Sequence, residues 1–139
     1  MPLDELDNLA KIGRLKREPP DPRELAALIE SGGARLKDAA NGDLSLESRF
    51  DLAYNAAHAF ALAALRFRGY RSDKRYLVFE VLAHTVNLAP EKCRVLDDAH
   101  RKRNAAEYAG VMDINESLVA SIIDVASDVR DRVRKLVAR

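Results

Sequence analysis

The sequence predicts an all-α protein: an up-and-down helical bundle of about five core helices plus a short N-terminal helix. Three observations carry this. Apolar residues recur at three- and four-residue steps along nearly the whole chain, which is the period of a half-buried helix. No segment alternates apolar and polar residues for longer than three or four positions, as a half-buried strand does. The 6 glycines and 5 prolines among 139 residues gather at a few points, the punctuation of a helical chain.

The first helix is expected over Leu3–Lys16, with Leu6, Leu9/Ala10 and Gly13 on one face and Asp4, Glu5 and Asp7 near its positive N-terminal end. Glu18-Pro19-Pro20-Asp21-Pro22 stops it, because proline lacks an amide donor and extends the residue before it. That stretch is the best linker in the chain. It divides an N-terminal helix and linker (1–18) from the bundle (19–139) and leaves the packing of the first helix open. Asp21 as N-cap and Pro22 at the first helical position open the next helix, carried by Leu25, Leu28/Ile29, Gly32 and Leu36 to about Ala40. Gly32-Gly33 sits inside it as a point of close backbone contact.

Ser45 caps the longest run, from Phe50 through Ala53, Tyr54, Ala57, Ala61, Ala64 and Leu65 to Gly69. Its alanine-rich stripe suits a central helix approached closely from more than one side. A further helix is expected from Ser72-Asp73 to Thr85/Val86, and another from Pro90 to Gly110 with Val95, Leu96, Ala99, Arg103 and Ala106 on one face. Asn115-Glu116 opens the last, where Leu118, Ile122, Val125, Val129, Val133 and Leu136 stand in near-heptad register. Core packing is the expected use of that line, with a two-fold helix interface as its alternative.

Lys and Arg number 23 and Asp and Glu 22, giving a net charge of +1. A balance this even excludes a highly basic nucleic-acid wrapper and an acidic tail protein, while leaving local patches possible. The lone Cys93 excludes an internal disulfide and a cysteine-cluster zinc site. No apolar run approaches the roughly 20 residues needed to cross a bilayer, and the acidic N-terminus is unlike a secretory signal. A cytoplasmic protein without a membrane partner is the expectation.

The segment with the most chemistry is His100-Arg101-Lys102-Arg103-Asn104-Ala105-Ala106-Glu107-Tyr108-Ala109-Gly110. The steps Leu96, Ala99, Arg103 turn Arg103 inward, where a cation is costly without a partner or a ligand. Glu107 lies four residues on and can pair with it, and Asn104 and Tyr108 share a face. From periodicity alone a plain helix salt bridge between Arg103 and Glu107, with Tyr108 capping the packing, is the preferred reading.

Arg103-Asn104 followed by three residues and an aromatic, near the end of the penultimate long helix, resembles the Arg-polar-x-x-x-His signature of the HEPN superfamily. Asp51-Leu52-Ala53-Tyr54-Asn55-Ala56-Ala57-His58-Ala59-Phe60-Ala61-Leu62 is similar to that superfamily's alanine-rich second core helix, and Ala34-Arg35-Leu36-Lys37-Asp38-Ala39-Ala40 to its first. The resemblance covers about Asp21 to the C-terminus. It implies a helical bundle, often a homodimer, with two copies of the motif meeting at a shared cleft. Many members are metal-independent ribonucleases of toxin or defence systems. Others do no chemistry and bind nucleotides, RNA or a minimal nucleotidyltransferase.

Here the position five after Arg103 is Tyr108, not histidine. Histidine exchanges protons near neutral pH, whereas a tyrosine near pKa 10 stays protonated. Arg103 keeps the phosphate-binding half of such a site, and the proton-transfer half is lost. His100, three before Arg103, is the candidate replacement; His58 and His84 read as structural residues on partly apolar helices. No histidine has a partner at metal-pair spacing, so neither metal nor cofactor is expected. Cys93 lies in a helix first turn, which lowers thiol pKa values, but with no histidine near it in sequence it reads as structural. Arg66, Arg68, Arg71, Lys74 and Arg75 form one basic patch and His100–Arg103 a second; if both lined one cleft, RNA or a nucleotide phosphate would be the natural ligand.

The expectation is therefore a non-catalytic HEPN-like module, homodimeric, binding a nucleotide, an RNA or a nucleotidyltransferase-type partner through a cleft of Arg103, Asn104, Glu107 and Tyr108. Two alternatives stay open. One is a ribonuclease with Arg103, His100 and Tyr108 as its catalytic candidates. The other is a purely structural helical interaction protein.

Overall fold

A computed structural model describes residues 2–110 and 112–138; Met1, Val111 and Arg139, and the side chains of Pro2 and Leu3, lie outside the described residues. The elements run α1 (Pro2–Lys11), β1 (Lys16–Arg17), α2 (Pro22–Ala39), α3 (Leu46–Phe67), β2 (Tyr70–Arg71), α4 (Arg75–Glu80), α5 (Leu82–Thr85), α6 (Pro90–Ala109) and α7 (Glu116–Val137). The fold is an all-α helical bundle.

The helix boundaries follow local chemistry. Asp21 Oδ1 accepts from the Arg23 amide at 2.9 Å, Ser45 Oγ from Ser48 at 3.1 Å and Asn115 Oδ1 from Leu118 at 2.8 Å, so three N-termini are capped by the expected residues. Gly110 ends α6 at φ 73°, a left-handed position that glycine takes without steric cost. Helix α3 is the hub, packed on α2 and α7, and its alanines at 53, 56, 57, 61, 63 and 64 are fully buried. Small side chains allow contact on several sides at once. The heptad line of α7 is spent inside this bundle: Val119, Ile122, Val125, Ala126, Val129, Val133 and Leu136 are buried.

Helix α2 passes through Gly32-Gly33 without a break, and the two glycines differ. A Cβ on Gly32 would lie 2.8 Å from Phe60 Cε1, whereas one on Gly33 would meet nothing within 4 Å. Gly32→Ala should therefore destabilise by about 1 kcal/mol or more, overpacking outweighing the helix-propensity gain. Gly33→Ala should stabilise by up to about 1 kcal/mol. Urea unfolding of both variants checks the opposite signs.

Three expectations are corrected. Helix α1 ends at Lys11 rather than Lys16, because the chain turns at Gly13 (φ 81°). The following stretch is tied down: Lys16 pairs with Arg71 and Arg17 with Tyr70 in a two-stranded antiparallel ladder, while Leu6 and Leu15 are buried in the core. The helix expected from Ser72 to Val86 is split at Val81 into α4 and α5. Leu77, Val78, Phe79, Val81 and Leu82 are all buried, and five apolar residues in six positions cannot share one helical face.

The first basic patch is likewise not a patch. Arg66, 1% exposed, donates through Nε to Glu24 at 2.5 Å and through its Nη atoms to the carbonyls of Glu18, Pro19 and Tyr70. Arg71 pairs with Glu18 at 2.7 Å and Glu24 at 2.6 Å, and Arg68 donates to the Thr85 carbonyl. These side chains tie the linker and β1–β2 to the base of α3.

Candidate functional site

Helices α3, α4 and α6 converge on Tyr54. Its ring is fully buried, stacks on Phe50 at 6.2 Å and on the His100 ring at 6.3 Å, and takes the edge of Phe79 at 5.6 Å. Two guanidiniums sit over it, Arg103 at 5.0 Å and Arg75 at 5.5 Å from the ring centre. An aromatic face attracts a cation and helps to offset its partial desolvation. Arg75 also donates to Asn55 Oδ1 at 2.9 Å.

The inward turn of Arg103 agrees with its spacing: its side chain is 28% exposed, and its salt bridge to Glu107 is long, at 3.5 Å, with Glu107 itself 58% exposed. An exposed pair of this kind is worth a few tenths of a kcal/mol. The Asp51 carboxylate also interacts with the Arg103 charge, and Arg75 adds a second cation over the same ring.

His100 is locked on both sides. Asn104 donates from its amide to Nε2 at 3.1 Å, which places the ring proton on Nδ1, where it faces the Tyr54 oxygen at 2.9 Å. Burial, and then the neighbouring Arg103, hold the His100 pKa below its ordinary 6.5. Burial likewise raises the Tyr54 hydroxyl pKa. His58 lies against Phe79 with ring centres 5.9 Å apart; burial, then Arg75, Arg103 and His100, push its pKa down to about 4. Partial burial raises the Asp51 carboxyl against the pull of Arg103. The cluster thus combines two permanent cations with two imidazoles held neutral. That arrangement attracts an anion.

The depressed His58 pKa has a consequence for stability. Between pH 6.5 and about 4 the unfolded chain binds a proton at His58 that the folded chain refuses, so stability falls as pH drops through that window. The effect amounts to ~3 kcal/mol at its full extent. His58→Gln should flatten most of the slope of denaturant stability against pH between 6.5 and 5, leaving the smaller contribution of His100.

The structure brings together Arg103, Asn104 and His100, and adds Tyr54, Asn55 and Arg75, which the sequence reading did not place in the site. The available signal was Asp51, Tyr54/Asn55 and His58, a polar stripe at three- and four-residue steps on an otherwise alanine-rich helix. Tyr108 does not join them: it is 91% exposed. Of the two basic runs, only Arg75 from one and His100 and Arg103 from the other meet. Arg101 faces Asp97 at 3.6 Å, and Lys102 faces Asp113 at 3.4 Å. Burial raises the Cys93 thiol pKa rather than the helix N-terminus lowering it. Among the described residues no group of three His, Cys, Asp or Glu could hold a metal ion, and no helix is long and apolar enough to cross a membrane. No protein-family model, curated protein or solved structure matches this chain.

Proposed function

We propose that this chain is a HEPN-like helical module that binds a nucleotide or RNA phosphate without cleaving it. The observation that carries the reading is the pair Arg75 and Arg103 over one buried tyrosine, where Arg103 has the exposed Glu107 as its salt-bridge partner and Arg75 the neutral Asn55 as a hydrogen-bond partner. A guanidinium presents two parallel N–H donors to a phosphate, and two of them at one site clamp it. The absence of chemistry rests on His100: both of its ring nitrogens are engaged, so neither a lone pair nor a proton faces a ligand. Two-fold pairing of two such sites and docking of a nucleotidyltransferase-type partner belong to the same proposal and rest on the resemblance of the Arg-Asn-x-x-x-Tyr segment.

The test is a filter-binding or gel-shift titration of a labelled short RNA in the presence of chelator. Wild type is expected to bind the RNA and leave it intact, and Arg103→Ala to lose binding. Cleavage that disappears in Arg103→Ala establishes the ribonuclease reading instead.

A further inference from the structure

A cleft of about 460 Å³ opens between α4 and α6 and ends at His100. Phe79, Ala83, Pro90 and Cys93 give it apolar walls, Tyr76 is 44% exposed beside them, and two carboxylates, Glu80 and Asp97, stand against one cation, Arg94, in the lining. Its size falls in the range of small-molecule pockets, about 300–1,000 Å³. The cleft meets the guanidinium site at His100, which lines it; Arg75 and Arg103 do not. Cys93, Asp97, His100 and Asn104 follow one another at steps of four, three and four along one face of α6, and Arg75, Tyr76 and Phe79 lie in sequence on α4. The His100 ring that closes the cleft is stacked on the same Tyr54 ring that carries Arg103 and Arg75. An anion on the arginines and a flat ring in the cleft would thus be linked through the stacked Tyr54 and His100 rings.

We propose that this cleft is a nucleobase subsite that selects bases carrying an exocyclic amine. This rests on the phosphate reading above. The aromatic and apolar walls take the ring faces, and the carboxylates of Asp97 and Glu80 accept hydrogen bonds from an amine such as that of adenine. Uracil offers those carboxylates a carbonyl oxygen at the corresponding edge and is disfavoured, because two acceptors face each other.

The experiment is calorimetric titration of the full chain with AMP, UMP, adenosine and ribose 5-phosphate. Wild type, Ala83→Trp (which fills the cleft) and Asp97→Asn (which keeps its shape) are compared after a thermal melt of each. AMP should bind about tenfold or more tighter than ribose 5-phosphate, as stacking of one base supplies, and several-fold tighter than UMP. Ala83→Trp should abolish the advantage over ribose 5-phosphate, and Asp97→Asn should narrow the AMP–UMP difference even if Ala83→Trp fails to fold. Equal affinity for AMP and ribose 5-phosphate, or an AMP–UMP preference indifferent to Asp97→Asn, overturns the subsite. Adenosine that binds in a cleft-dependent way while ribose 5-phosphate does not bind overturns the phosphate reading and keeps the cleft. If no compound binds, both fall. Short oligo(A) and oligo(U) strands, titrated in chelator, tell whether the selected nucleotide is free or part of an RNA.

Discussion

Arg66→Met should cost about 3 kcal/mol of folding stability and lower the midpoint of thermal unfolding by roughly 10 °C. The guanidinium is 1% exposed and holds Glu24, Glu18 and three backbone carbonyls from the linker and β2. Methionine replaces the aliphatic stem and none of the donors. It leaves Glu24 with Arg71 alone as its ion-pair partner among the described residues and the Glu18, Pro19 and Tyr70 carbonyls short of a donor, and orphaned polar groups carry their desolvation cost. The loss falls at the lower end for a broken buried pair because Glu18 and Glu24 are 35% and 30% exposed and partly rehydrate. Arg101→Met, which removes only the loose contacts to Asp97 and Asp98 at 3.6 and 3.9 Å, should change stability by less than about 0.5 kcal/mol. Circular dichroism melts of the two variants compare them directly. Equal melting points would show that the Arg66 network does not anchor the N-terminal segment.

Arg103→Ala should have the largest effect on binding and a small one on folding. Removing one charged, forked phosphate contact is expected to weaken RNA or nucleotide affinity by about 10- to 100-fold and to reduce the slope of log affinity against log salt by about 1. Arg103→Lys keeps the charge and loses the fork, so it should recover part of the affinity and all of the salt slope. Stability should move by less than about 1 kcal/mol, since among the described residues the ion pair lost is the exposed one to Glu107. A large loss of stability with unchanged binding would make Arg103 a packing residue.

The sequence made the helices legible because each boundary is a local event. Asp21, Ser45, Asn115 and Gly110 cap or end helices through atoms within a few residues of themselves. The inward turn of Arg103 was legible for the same reason, since it follows from the period of one helix. What sequence could not supply was pairing between helices. Arg66 and Arg75 lie nine residues apart in one apparent basic patch, yet one is buried against Glu24, 42 residues away, and the other reaches Tyr54 on α3. The short β1–β2 ladder was invisible because Lys16-Arg17 has no apolar alternation and exists only where Tyr70-Arg71 meets it. Tyr108 was drawn into the site by its spacing from Arg103, but the helix turns its ring into solvent, and Tyr54 from α3 supplies the aromatic face instead.

In the proposed site a guanidinium pair holds a nucleotide phosphate beside a histidine whose two nitrogens are already committed. Incubation of the purified chain with end-labelled RNA in excess chelator, resolved on native and denaturing gels in parallel, tests it most directly. The expected result is a shifted band on the native gel that Arg103→Ala abolishes, and full-length RNA on the denaturing gel. RNA cut by wild type and left whole by Arg103→Ala would contradict it.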